Sequence, residues 1–127
     1  MINKQYGIIH LEDDPDITDR MVVLFEKEEN ISYEPVFDAQ EAFERLEQGL
    51  PDLMLVDLMI EDDKNVQPGI EFIKEAKTLY PSLKMIVLSN RGEQKYRNEL
   101  KEYVEDYELK IFKPSVYKQK IIDLLST

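Results

Sequence analysis

The chain has 127 residues, 43% of them hydrophobic and 34% charged, with no cysteine and a net charge of −11. One core fits in that length and a second domain does not, so a single domain over 1–127 is expected. Apolar runs such as Leu53 to Val56 are too short to cross a bilayer, Met1–Tyr6 carries no secretory leader pattern, the lack of cysteine excludes disulfides, and the acidic balance excludes general binding to nucleic acid; a cytoplasmic protein without a membrane role is expected.

Tyr6–Leu11 is the first strand candidate. Ile17, Met21, Leu24 and Phe25 then fall at the spacing of one helix face, with Pro15 near its start. A second strand, Ser32–Phe37, is followed by Asp38 as a helix N-cap, by Ala39, Ala42, Phe43 and Leu46 as the buried stripe, and by Gly49 as the terminator. Leu53–Val56 is a continuous apolar strand, after which a helix is expected over Ile70–Tyr80, stopping before Pro81. The fourth strand is Met85–Leu88. Tyr96, Leu100, Tyr103, Val104 and Tyr107 keep helical spacing and predict a fourth helix, Leu109–Phe112 a fifth strand, and Tyr117, Ile121, Leu124 and Leu125 a last helix.

Strands alternating with helices specify an α/β fold, and five such units specify a doubly wound, flavodoxin-like parallel sheet of order 2-1-3-4-5. Pro35 supports that order, because a proline inside a strand is tolerated at the edge of a sheet and not at its centre.

In open α/β sheets ligands bind beyond the carboxyl ends of the strands, where strand order reverses. The residues that follow the predicted strands are Glu12 and Asp13, Asp57, Ser89 and Lys113. Three carboxylates in one crevice repel each other unless a cation compensates, and a hard metal such as Mg²⁺ is the expected occupant. Ser89 supplies a hydroxyl and Lys113 a point charge, both suited to phosphoryl oxygens, and Asp57 is placed to be the nucleophile that forms an acyl phosphate.

The segments Ile9-His10-Leu11-Glu12-Asp13-Asp14-Pro15, Pro51 to Met59 with Asp57 near its end, Ile86-Val87-Leu88-Ser89 and Phe112-Lys113-Pro114 together resemble the receiver domain of two-component response regulators, of the single-domain, chemotaxis-regulator-like kind. The resemblance covers essentially the whole chain. It implies that Glu12, Asp13, Asp57 and the main-chain carbonyl of Met59 bind Mg²⁺, and that Asp57 accepts phosphate from a histidine kinase or phosphotransfer protein. It also implies that Ser89 and Lys113 hold the phosphoryl oxygens, that the Lys113–Pro114 bond is cis, and that the protein is a phosphoacceptor and not a metabolic enzyme.

The chain departs from that family pattern in places. The stretch after Asp57 is long and acidic, with Glu61, Asp62, Asp63, Lys64 and Asn65; Asn90 and Arg91 follow Ser89; and Lys110 stands where the family carries a switch aromatic. These departures support an alternative, an adaptor of receiver fold that signals without phosphate. His10, the only histidine, is expected to be a satisfied core residue. Residues 91–120 hold eight of the 16 basic residues but only six of the 27 acidic ones. The face formed by helix 4, strand 5 and helix 5, with Lys95, Arg97, Lys101, Lys110, Lys118 and Lys120, is therefore the expected surface for a protein partner.

Overall fold

The computed structural model describes residues 4–60, 65–110 and 114–126. Five strands, β1 (Tyr6–Leu11), β2 (Ile31–Val36), β3 (Leu53–Val56), β4 (Met85–Ser89) and β5 (Asp106–Leu109), alternate with five helices. The helices are α1 (Pro15–Phe25), α2 (Ala39–Glu47), α3 (Gln67–Leu79), α4 (Gln94–Leu100) and α5 (Pro114–Leu125). All strands pair in parallel in the order β2-β1-β3-β4-β5. Pro35 lies on the outer strand as expected, opposite His10 of β1.

Period-two alternation splits the core between the two faces of the sheet. Leu53 and Leu55 of β3 join Ile8, Ile86, Leu88, Met21, Phe25, Tyr117 and Ile121 on the side of α1 and α5. Met54 and Val56 join Ile9, Leu11, Val87, Ala42, Leu46, Ile70 and Ile73 on the side of α2 and α3. Strands buried on both faces read as unbroken apolar runs for this reason.

The helix ends follow their sequence signals. Asp14 caps α1, its side chain accepting from the Asp16 N–H, with Pro15 in the first turn. Asp38 caps α2 through the Glu41 N–H at 2.8 Å, and Gly49 just beyond it takes a φ of 141° that side chains disfavour. α3 begins three residues before the expected Ile70, because Asn65 Oδ1 accepts the Gln67 N–H at 3.0 Å and Pro68 fits a first turn that needs no N–H.

Two expectations are corrected. α4 stops at Leu100, and the chain then turns through Tyr103, whose N–H donates to the Leu100 carbonyl. Tyr107, expected on that helix, lies instead in β5, which covers Asp106–Leu109 and so begins three residues before the expected Leu109; Ile111 and Phe112 lie outside the described residues. Tyr103 and Val104 pack on the core from the turn, so the apolar spacing outlasts the helix that it suggests. The Glu61–Lys64 part of the acidic stretch, Lys113 and the expected cis bond to Pro114 lie outside the described residues.

Candidate functional site

The carboxyl ends of β1 and β3 place two acids side by side. The Glu12 N–H donates to the Val36 carbonyl and the Asp57 N–H to the Leu11 carbonyl, each at 3.0 Å, so both residues continue the sheet's bonding one step past their strands. Both side chains are buried, at 0% and 3% exposure, whereas Asp13 is exposed and marks the mouth of the pocket. One carboxylate oxygen from each of Glu12, Asp13 and Asp57 lies within 4.8 Å of the others. The expected acidic trio is therefore brought together.

Gly69 fixes how close the next segment comes. A Cβ there would sit 2.3 Å from the Leu58 Cα, and the Gly69 N–H donates to the Leu58 carbonyl at 3.2 Å. The start of α3 thus clamps the residue that follows Asp57. Met59 turns its N–H back onto Asp57 Oδ1 at 3.0 Å.

Ser89 ends β4 and is fully buried. Its Oγ accepts the Arg91 N–H at 3.0 Å, and the hydroxyl keeps a proton to donate, with the Tyr107 side chain as a neighbouring partner. Lys113 lies outside the described residues, and a different lysine occupies the pocket. Lys110 Nζ stands 2.8 Å from Glu12 Oε2 and 2.9 Å from Asp57 Oδ2, and its N–H bonds the Ser89 carbonyl. Sequence reasoning did not place this residue in the pocket because it began the fifth strand at Leu109, three residues after its observed start. The rule of reading the residue after each strand, applied to Asp106–Leu109, selects Lys110.

Electrostatics follows from this crowding. Burial, reinforced by the Asp57 charge and only partly offset by Lys110, pushes the Glu12 carboxyl up to about 7. Burial also opposes the Lys110 charge, yet Asp57 and Glu12 outweigh it and hold the ammonium above the ordinary lysine range. Among the described residues Glu12 Oε2 has no hydrogen-bond partner beyond its ion pair with Lys110. A buried oxygen left in that state, within an all-oxygen donor set that opens at Asp13, fits a hard divalent cation.

His10 is fully buried as expected, but only half satisfied. Nδ1 meets the Tyr33 hydroxyl at 2.5 Å, while Nε2 has no partner among the described residues. Burial, with the nearby Lys110 charge, lowers its pKa to about 3, so the ring is neutral.

Beyond Ser89, Tyr107 is buried with its hydroxyl donating to the Arg91 carbonyl. The Arg97 guanidinium lies 4.6 Å from the centre of that ring and bonds the carbonyls of Gly92 and Tyr107. The basic face is accordingly less free than the sequence implies. Lys110 points into the pocket, Lys118 pairs with Glu28 at 2.6 Å, and Lys120 pairs with Asp106 and Glu108. Lys95 and Lys101 are exposed on and just after α4.

Among the described residues no helix is long and apolar enough to cross a membrane. A family model, the response regulator receiver domain, matches residues 8–122. The fold is similar to that of a CheY-like response regulator receiver domain protein from Methanospirillum hungatei, at 22% identity and a TM-score of 0.84 over 97% of this chain and 95% of that one. It is also similar to a response regulator from Thermotoga maritima, at 20% identity and 0.82 over 97% and 99%. NtrX from Brucella abortus matches at 20% identity and 0.79 over 96% of this chain, which spans only 26% of NtrX. No curated protein matches the chain.

Proposed function

The chain belongs to the response regulator receiver family, and we propose that it is a cytoplasmic, phosphorylation-dependent signalling switch with Asp57 as its phosphoacceptor. The observation that carries this reading is the buried Asp57 carboxylate facing Glu12 and Asp13 across less than 5 Å. In the reaction an Asp57 oxygen attacks the phosphorus of a phosphohistidine on a kinase or phosphotransfer protein. The new P–O bond forms as the P–N bond breaks, and the departing imidazole takes up a proton.

Glu12, Asp13, Asp57 and the Met59 main-chain carbonyl would hold Mg²⁺, which supplies positive charge to the equatorial phosphoryl oxygens. The Ser89 hydroxyl and the Lys113 ammonium would bind those same oxygens. Met59 N–H on Oδ1 orients the carboxylate before the donor arrives. Output passes through protein contacts on the α4, β5 and α5 face, where Lys95 and Lys101 are the exposed cations.

Incubation with Mg²⁺ and acetyl phosphate should give an alkali-labile mass gain of one phosphoryl group that is absent in Asp57→Asn. A wild-type protein that gains no mass favours the second reading, an adaptor of receiver fold that signals without phosphate. The specific observation in favour of that reading is Lys110, which already bridges both buried acids and stands where the family's switch aromatic would be.

A further inference from the structure

Four oxygens belong to the two buried acids, and each is already engaged. Glu12 Oε1 accepts the Asp14 N–H at 3.3 Å and Asp57 Oδ1 accepts the Met59 N–H at 3.0 Å. Oε2 of Glu12 and Oδ2 of Asp57 take no main-chain donor, and are therefore the pair most open to an ion bridging both acids. Those two oxygens are the ones that Lys110 Nζ holds at 2.8 and 2.9 Å, and no other cation among the described residues reaches either acid. Mg²⁺ binds oxygen at about 2.0–2.1 Å. An ion close enough to both would therefore lie in the space that the ammonium fills.

Resting on the receiver reading above, we propose that Lys110 is a tethered counter-ion that competes with the divalent cation for Glu12 and Asp57, so that loading the pocket expels its side chain. The family pattern gives this position to an aromatic residue, and an aromatic ring has no charge with which to compete. Room exists for the displaced chain. Lys110 also lines a cavity of about 80 Å³ with His10, Ile17, Arg20, Met21, Leu88 and Tyr117, on the α1 and α5 side of the sheet. His10, whose Nε2 is without a partner among the described residues, belongs to that lining. The pocket is thus neutralised from within until a cation displaces the lysine, and the Mg²⁺ level at which it fills is set by Lys110.

Isothermal calorimetry of Mg²⁺ binding, without any phosphodonor, tests this on the whole chain. Lys110→Met and Lys110→Gln should each bind Mg²⁺ about tenfold more tightly than wild type, since a competing and repelling charge has gone. Affinities in both Lys110 variants equal to or weaker than wild type overturn the proposal. Should neither Lys110 variant fold, the wild type still decides. His10 ring resonances should move as Mg²⁺ saturates, because the Lys110 charge shifts beside the only histidine, and resonances that stay fixed overturn the proposal. Acetyl phosphate labelling keeps the two readings apart. Labelling of Asp57 with no affinity gain in the Lys110 variants sinks only the competition, and an affinity gain without labelling sinks only phosphoacceptance.

Discussion

The two halves of the sheet's carboxyl edge are held by different means. At β1 and β3, main-chain bonds place the acids. Glu12 and Asp57 extend the strand ladder, and the Gly69 N–H fastens the segment after Asp57 to the start of α3. At β4 and β5, side chains carry the load. The Tyr107 hydroxyl meets the Arg91 carbonyl, Arg97 ties Gly92 to Tyr107, and Ser89 Oγ takes the Arg91 N–H. A group set by backbone geometry keeps its place whatever its neighbours do, while a group set by side-chain bonds can trade partners singly. The contrast assigns precision to the acidic half and adaptability to the aromatic one.

The hardest blow to the first half is Gly69→Ala. Its Cβ would meet backbone, which cannot swing aside, and overpacking of this kind costs about 3 kcal/mol. Urea unfolding should show that loss, and acetyl phosphate labelling of Asp57 should slow along with it; full-rate labelling would mean that the clamp does not position the acceptor. Tyr107→Phe strikes the other half more gently. It keeps the ring under Arg97 and deletes one hydrogen bond, at a cost of about 1 kcal/mol, and labelling should be unaffected. Labelling that collapses in this variant would erase the distinction between the halves.

The smallest effect is one of pH. The Glu12 carboxyl is raised from 4.5 to about 7, so between those values the folded chain holds a proton that the unfolded chain has lost. The associated stability is present below pH 4.5 and is lost as pH rises through 7. Glu12→Gln removes that dependence and should melt higher than wild type at pH 8 in Mg²⁺-free buffer, with the gap narrowing towards pH 5. A gap equal at both pH values would show that Glu12 is not the group responsible. His10 acts in the opposite sense. Its pKa falls from 6.5 to about 3, so stability is lost as pH drops below 6.5, where only the unfolded chain takes the proton.

Sheet order and the acidic pocket were legible from sequence because each rests on a local rule. Pro35 can tolerate only an outer strand, and Glu12 and Asp57 follow apolar runs whose ends are unambiguous. The region after Leu100 was not legible. Tyr96, Tyr103 and Tyr107 preserve helical spacing across a chain that has already turned, and β5 is a four-residue strand with charged Asp106 and Glu108 in it. Lys120 compensates both acids, a contact between residues 12 or more positions apart that no local pattern displays. Because β5 begins earlier than expected, Lys110 comes next to the pocket, while Lys113 lies outside the described residues. The half-satisfied state of His10 was equally hidden, since it depends on which side chains surround the ring.

An open sheet has two free borders, and here neither welcomes an added strand. On one, Pro35 lacks an N–H and Glu34 is held by Arg45 at 3.0 Å. On the other, Asp106 and Glu108 place charge along a strand that Lys120 covers from α5. Strand-to-strand growth between copies is blocked at both borders by charge and by proline. A second copy of this chain, or any protein partner, is left with side-chain surfaces, and not with main-chain pairing at the sheet's borders, as its means of attachment.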